Sequence, residues 1–321
     1  MIETPEWLPL ERDPATELVT WLRLGEADYK AASFLDFRMV EPQSEVKQTA
    51  WPAVPAEARR DAHYIFHIGN VGSTLISRLL GELPEVFALR EPQLLRQLDA
   101  DADFATVTAL LSRTWRPEQR ANVKATSFAS ELADRLVQPG SKALFLHATP
   151  DAYLAGILAG PNSWQTLAAL SETRLARLQS RCPGLGADLG TMHDGLKAAL
   201  GCACEMTSLE RAAAALPPGT VLWLDFDTFL ADPVRHFAAI AGHFGIAVAE
   251  PQARAICEGP LMRRYSKALD YEYSPQARRE TLADARFRHG RAIEDGLDWL
   301  QGLASRYPAV AQAIRRAQGK L

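Results

Sequence analysis

The chain has few cysteines, and none of them stands in a spacing that holds a metal ion. The four are Cys182, Cys202, Cys204 and Cys257, and no Cys-x-x-Cys pair occurs among them. Cys202 and Cys204 have no histidine partner at zinc-finger spacing, and no cluster of histidines and carboxylates suggests a metal site. We therefore predict no bound metal, and we expect the cysteine pair to be small buried residues of an alanine-rich helix.

The sequence also lacks an excess of positive charge and any long apolar run. Its 35 basic and 39 acidic side chains give a formal charge of -4, whereas a dedicated nucleic-acid binder carries a basic excess. No apolar run reaches the roughly 18 residues that a membrane span requires, and the acidic first residues lack the pattern of a signal peptide. We expect a cytoplasmic protein with no nucleic-acid or membrane partner; the sequence does not indicate its oligomeric state.

What is present, from residue 61 onward, is a series of short apolar runs that alternate with helical patterns. Runs that are apolar along their whole length are typical of parallel strands buried on both faces, and their alternation with helices is typical of α/β proteins. We therefore predict an α/β three-layer sandwich with a central parallel sheet between helices. The predicted strands are 64–68, 86–89, 143–146, 221–224 and the weaker 122–124.

Other regions depart from this pattern. Residues 1–60 are rich in proline, with one amphipathic stretch at 17–24, and predict an N-terminal arm packed on a main domain at 61–321. Residues 160–216 lack a convincing strand and predict a helical insertion of two or more helices at an edge of the sheet. The C-terminal part is mostly helical in its pattern, with a looser stretch at 265–274.

The most informative segment is the turn between the first apolar run and the helix that follows it. Two glycines remove the Cβ atoms that would block a tight turn. The start of the next helix offers backbone N–H groups and partial positive charge, and two hydroxyl residues add donors. The turn is predicted to cradle a phosphate or sulfate group, although a strand-to-helix corner without a ligand has the same pattern. Its residues are Gly69, Asn70, Val71, Gly72, Ser73 and Thr74.

This turn is neither a Walker A loop nor a dinucleotide-binding fingerprint. Ser73 stands where the Walker lysine would follow Gly72, and His67 stands where the first Walker glycine would be. The Gly-x-Gly-x-x-Gly pattern is also missing. A divergent small-molecule kinase is therefore the least favoured of the functions considered below.

Five short segments follow one another in a particular order over roughly residues 61–245. Together they resemble the sulfotransferase family, most closely its branch of bacterial and tyrosylprotein sulfotransferases. The resemblance implies a P-loop-containing sulfotransferase fold, in which the insertion shapes the acceptor side. It also implies transfer of a sulfuryl group from 3′-phosphoadenosine 5′-phosphosulfate (PAPS) to a hydroxyl or amine of a small-molecule or peptide acceptor, without a metal. The segments are the glycine turn, Leu89–Pro92, Val123–Thr126, Phe145–Pro150 and Leu224–Pro233.

The first turn of that family reads Pro-Arg-Ser-Gly-Thr-Thr-Leu and holds the 5′-phosphosulfate. Gly72, Ser73 and Thr74 match its Gly-Thr-Thr, whereas Asn70 stands where the family usually has arginine or lysine. The Asp225–Pro233 stretch resembles another family motif, and we interpret it as a marker of the fold without a chemical role.

Two residues at predicted strand ends are candidates for catalysis. Glu91 follows the second apolar run, at the edge where parallel sheets place ligands, and resembles the family's catalytic glutamate; it would deprotonate the acceptor. Lys124 matches a lysine that many family members carry, and it would stabilise the transferring group. The alternatives are that Glu91 only starts a helix and that Lys124 is a solvated lysine of an edge strand.

The groups that hold the 3′-phosphate in the family are missing from this chain. Its arginine and serine positions are occupied here by Ala148 and Gly156. Basic residues that could substitute for them are Arg263–Arg264, Lys267 and the cluster at 286–290. These departures support a second hypothesis, a catalytically inactive P-loop-fold protein that binds another anion, a nucleotide or a protein partner.

Overall fold

The computed structural model describes residues 3–99, 101–268 and 270–320, with the backbone alone over 161–166. The strands are β1 Trp7–Arg12, β2 Leu18–Arg23, β3 Val46–Ala50, β4 His63–His67, β5 Val86–Arg90, β6 Arg120–Lys124, β7 Ala143–His147 and β8 Val221–Asp225. The helices are α1 Glu26–Ala31, α2 Ser73–Leu80, α3 Phe104–Leu111, α4 Ala133–Leu136, α5 Pro150–Leu158, α6 Pro161–Arg181, α7 Asp194–Ala215, α8 Phe226–Ala231, α9 Pro233–His243, α10 Glu250–Cys257, α11 Pro275–Arg306 and α12 Pro308–Ala317.

Strands β4 to β8 form a five-stranded parallel sheet with the order β5-β6-β4-β7-β8. Successive residues of a strand face opposite sides of a sheet, and every residue of β4, β5 and β7 is buried. Both faces of the sheet are therefore covered, which makes the main body a three-layer α/β structure. The predicted fold class is confirmed, and all five predicted runs are strands of this sheet.

The strand order places a ligand crevice at the end of β4. After β4 the chain crosses to the outer strand β5 and returns to β6 beside β4, whereas β7 and β8 extend the sheet on the other side. The order thus reverses at β4, and ligands of open α/β sheets bind outside the carboxyl ends of the strands at such a point. The glycine turn follows β4 directly.

A second sheet lies in the N-terminal region. β1, β2 and β3 form a three-stranded antiparallel sheet, so the amphipathic stretch at 17–24 is a strand. Trp21 is fully buried, and its indole N–H donates to Thr49 Oγ1 at 2.9 Å. Trp7, Val19 and Trp21 pack with Leu110 of α3, which joins this sheet to the main body.

Residues 160–216 contain α6 and α7, two long helices that pack against each other. A buried ion pair links them, with Arg174 Nε 3.1 Å from Glu205 Oε1. Cys202 and Cys204 are buried free thiols within α7, as the alanine-rich pattern predicts. Across the described ranges, no helix combines the length and apolar character that crossing a membrane requires.

Helices α7 and α11 cross so closely that glycine is required at the contact. A Cβ atom on Gly296 would lie 2.6 Å from Leu154 Cδ2 and 2.8 Å from the carbonyl oxygen of Gly195. Gly302, on the same helix, has open space around a Cβ atom. We therefore expect Gly296→Ala to lower the free energy of unfolding by about 1–3 kcal/mol through overpacking.

Chemical denaturation checks this prediction, with Gly302→Ala as the matched control. Because alanine is the better helix former, the control should be neutral or more stable by up to about 1 kcal/mol. Equal stability of the two variants would show that the helices do not approach as closely as described.

Candidate active site

The residues between β4 and α2 form a tight loop at the carboxyl edge of the sheet. Gly69, Asn70 and Gly72 adopt left-handed backbone conformations, with φ of 94°, 52° and 67°. Glycine reaches this region without strain, and asparagine is among the few other residues found there. Helix α2 begins at Ser73, so the N–H groups of its first turn, which have no acceptor within the helix, border this loop.

His67 fixes the loop to the sheet. Its Nδ1 accepts the N–H of Gly69 at 3.1 Å, and its Nε2 donates to the carbonyl oxygen of Ala125 at 2.9 Å. Burial, together with the charge of Lys124, lowers the pKa of His67 to about 3. The imidazole is therefore neutral, with both nitrogens engaged, and its role is structural.

Phe226, the first residue of α8, lies directly against the loop. A Cβ atom on Gly72 would be 1.9 Å from Phe226 Cε2. The Arg278 guanidinium carbon lies 4.9 Å from the centre of the Phe226 ring, and Arg278 Nε donates to Asp227 at 2.8 Å. The Asp225–Pro233 stretch, interpreted from sequence as a marker of the fold, thus contributes a wall of the site.

A cavity of about 430 Å³ opens in front of the loop, and its lining includes Asn70, Val71, Gly72, Ser73 and Thr74. The remaining walls come from the end of α5, from Phe226, from residues 264–267 and 272–273, and from the start of α11. The cavity thus lies where the strand order predicts a ligand crevice.

The side chain of Thr74 is an unsatisfied donor at this cavity. It is 1% exposed, and its Oγ1 has no hydrogen-bond partner among the described residues. A buried hydroxyl without a partner is costly, and the oxygen of a bound phosphate or sulfate would satisfy it. The residues present therefore fit a phosphate or sulfate group.

Residues 264–268 and 270–273 are here called the hairpin segment, and several of them line the cavity. Its strands pair through Arg264 and Glu272, and the Tyr265 N–H donates to the carbonyl oxygen of Tyr271 at 2.8 Å. Arg78 of α2 anchors the segment by donating from Nε to the Ser266 carbonyl oxygen at 2.9 Å. The hairpin segment is therefore tied at Ser266 to the helix that begins at the loop.

Glu91 and Lys124, predicted separately, form one buried ion pair. The β5–β6 register pairs Arg90 with Lys124, so Glu91 follows at the strand end beside it. Lys124 Nζ donates to Glu91 Oε1, and Arg96 Nη2 lies 3.1 Å from Glu91 Oε2. The peptide N–H of Glu91 also donates to the Lys124 carbonyl oxygen at 2.7 Å, while Glu91 itself has a φ of 48°.

Each charge of this pair shifts the pKa of the other group. Burial by itself would raise the pKa of Glu91, but the ammonium of Lys124 holds that pKa well below the ordinary value. Burial lowers the pKa of Lys124, and Glu91 opposes this change. Lys124 is fully buried on a strand between β5 and β4, so it is not a solvated lysine of an edge strand.

Neither residue of the ion pair lines the cavity, but His67, which does, bonds to the residue that follows Lys124. His67 is influenced by the charges of both Lys124 and Glu91. Arg90 serves the fold, because its buried guanidinium donates to the carbonyl oxygens of Ala32 and other residues around the end of α1.

The positions expected around the 3′-phosphate differ in their access to the cavity. Gly156 lines it, whereas Ala148 is fully buried. Of the basic alternatives, Arg264 and Lys267 line the cavity. The cluster at 286–290 is on α11, where Arg286 pairs with Asp151 and Arg288 with Asp284. Within the described part of the chain, no group of three or more histidine, cysteine or acidic side chains could hold a metal ion.

Sequence comparisons find no matching family model and no matching curated protein. The sulfotransferase domain from the curacin biosynthetic pathway aligns with a TM-score of 0.43 and 14% identity over 73% of this chain and 90% of that chain. The sulfotransferase STF9 from Mycobacterium avium aligns with a TM-score of 0.43 and 12% identity over 73% of this chain and 77% of that chain. A sulfotransferase from Alicyclobacillus acidocaldarius aligns with a TM-score of 0.39 and 14% identity over 74% of this chain and 96% of that chain. Each of these three proteins is a sulfotransferase.

Proposed function

We propose that the protein is a sulfotransferase that transfers a sulfuryl group from PAPS to a hydroxyl or amine of a small-molecule or peptide acceptor. The observation that carries this proposal is the unpartnered hydroxyl of Thr74, buried at the N-terminus of α2 where the glycine loop meets the cavity. Backbone N–H groups and the helix dipole favour an anion at this position.

Ser73, Thr74 and the N–H groups of their helical turn would hold the 5′ end of the nucleotide. When bound, PAPS supplies an activated sulfuryl group whose leaving phosphate gains negative charge. Tyr273 lines the cavity, and its aromatic ring suits an adenine ring. The glycines at 69 and 72 let the backbone approach the anion closely.

Glu91 would accept the proton of the acceptor on a carboxylate oxygen, as a general base. Its pairing with Lys124 lowers its affinity for that proton. Glu91 becomes the stronger base if the Lys124 ammonium turns from the carboxylate to the negative charge of the nucleotide. The same movement would place Lys124 where it stabilises the transferring group.

A second candidate is a catalytically inactive protein that binds a nucleotide or another anion in the same cavity. The observation that favours it is the complete engagement of Glu91, whose two oxygens accept from Lys124 and Arg96. A carboxylate held in this way is a weak base unless its partners leave.

Calorimetric titration with the product 3′-phosphoadenosine 5′-phosphate (PAP) tests the proposal. We expect saturable binding of PAP that is tighter than that of ATP, and consumption of PAPS when a panel of phenols, alcohols and amines is offered. No PAP binding at millimolar ligand contradicts the sulfotransferase and supports an inactive protein that binds another anion. PAP binding without turnover of PAPS supports the inactive protein, and tighter binding of ATP supports a kinase.

The cavity also offers a position at which a 3′-phosphate donor can be restored. A Cβ atom on Gly156 would meet only Leu282 Cδ2, at an ordinary contact of 3.7 Å. We expect Gly156→Ser to tighten PAP binding by about three- to tenfold, because a hydroxyl donor to a charged group is stabilising. Calorimetry checks this, with 5′-AMP as the control ligand whose affinity should stay the same. Unchanged PAP affinity would place the 3′-phosphate elsewhere.

A further inference from the structure

The loop that would receive the 5′-phosphosulfate has no cationic side chain of its own. Residues 68–74 are all uncharged. Backbone N–H groups and a helix dipole supply only partial positive charge, whereas a transferring phosphosulfate needs full charges positioned where negative charge develops. The compensating cation must therefore come from another part of the chain.

Lys267, in the hairpin segment, meets this requirement. It lines the same cavity as Asn70, Gly72 and Thr74, and it is half-buried. It forms no ion pair with any of the residues described, whereas the neighbouring cation Arg278 is paired with Asp227.

Lys267 and His67, the last residue of β4, line the same cavity. Its charge lowers the pKa values of His67, Glu91 and Lys124. These three residues end or follow β4, β5 and β6, at the edge of the sheet where the loop begins.

A buried arginine holds the backbone of this lysine in place. Arg78 is 5% exposed on α2 and donates to the carbonyl oxygen of Ser266, the residue before Lys267. The same guanidinium donates from Nη2 to Ser33 Oγ at 2.8 Å, which ties it to the N-terminal region as well. The hairpin segment is thus fixed to the helix whose first turn borders the cavity.

We propose that Lys267 supplies the positive charge for the 5′ end of the nucleotide, with its ammonium donating to an oxygen of the phosphosulfate. The proposal rests on the proposed function and deepens it, because it names the residue of a distant hairpin that completes the loop. It also assigns this basic residue of the hairpin to the 5′ end and not to the 3′-phosphate.

Three nucleotides distinguish the two ends in calorimetric titrations of the full chain. For Lys267→Met we expect PAP and 5′-AMP to bind about ten- to a hundredfold more weakly, the effect of losing a hydrogen bond to a charged group. Binding of 3′-AMP should be unchanged. Arg263→Met is the matched control, an exposed cation in the same region that does not line the cavity, and it should bind all three nucleotides like the wild type.

Lys267→Arg separates charge from packing and should retain 5′-AMP affinity within about threefold, because it keeps the cation. If Lys267→Arg loses as much 5′-AMP affinity as Lys267→Met, the proposal is overturned. It is also overturned if Lys267→Met loses affinity for 3′-AMP alone or for none of the nucleotides. If the wild type binds PAP and Lys267→Met binds it equally well, only the assignment of Lys267 is overturned. Wild-type protein that binds no nucleotide overturns the sulfotransferase assignment together with it.

Discussion

Gly72→Ala is expected to abolish detectable binding of PAP. The added Cβ atom would lie 1.9 Å from Phe226 Cε2, so either the aromatic ring or the loop must move. The backbone at this position has a φ of 67°, which costs a residue with a Cβ atom roughly 1–2 kcal/mol in addition. Movement of the loop displaces the first N–H groups of α2, and the anion site is lost. Calorimetry with PAP measures the effect.

Two further variants separate the clash from the backbone strain. Gly140 has a φ of 86° and open space around a Cβ atom, so Gly140→Ala should lose only the roughly 1–2 kcal/mol of backbone strain and retain PAP binding. In Gly72→Ala/Phe226→Ala the clash is removed, and we expect part of the affinity to return. PAP affinity of Gly72→Ala equal to that of the wild type would mean that the loop is not the anion site.

The second large effect is expected at the buried ion pair. Lys124→Met leaves the Glu91 carboxylate without its main partner, and breaking a buried pair in this way costs about 3–5 kcal/mol. Chemical denaturation at neutral pH measures the loss. Arg96→Met removes the other, half-exposed partner of the same carboxylate, and it should cost no more than about 1 kcal/mol.

The double variant Lys124→Met/Glu91→Gln identifies the cause of this loss. Because no uncompensated charge remains, we expect it to recover much of the stability that Lys124→Met loses. A double variant no more stable than Lys124→Met would show that the loss comes from packing and not from charge.

Acid pH should weaken the same interaction. The folded-state pKa of Glu91 is held below its value in the unfolded chain, mainly by Lys124 against the opposing effect of burial. Its contribution to stability is therefore complete above the ordinary carboxyl pKa and is lost as the pH falls through the folded value. The stability difference between the wild type and the double variant should become smaller as the pH falls from neutral to about 2–3.

The central sheet could be predicted from sequence because its strands are short and apolar along their whole length. Val86–Arg90 and Ala143–His147 are buried at every position, so the mainly apolar sequence of each run by itself predicts a strand buried on both faces. The N-terminal sheet could not be predicted, because Pro9 interrupts β1 and the residues of Val46–Ala50 alternate between exposed and half-buried. Those strands depend on pairing with each other and on packing against α3.

The glycine loop could be predicted because its signal is local: two glycines, two hydroxyl residues and a helix in one short segment. The contact of Gly72 with Phe226 and the approach of Lys267 could not, because they join residues far apart in sequence and require the folded chain. Glu91 and Lys124 were each identified from their strand ends. Their pairing depends on the β5–β6 register, which the sequence does not specify.

A crystal structure of the protein with PAP tests the central claim most directly. The account predicts the 5′-phosphate at the N-terminus of α2, within hydrogen-bond distance of the Thr74 hydroxyl and the Lys267 ammonium. PAP bound outside this cavity, or a loop closed by Phe226 with the Thr74 hydroxyl still unpartnered, would contradict it.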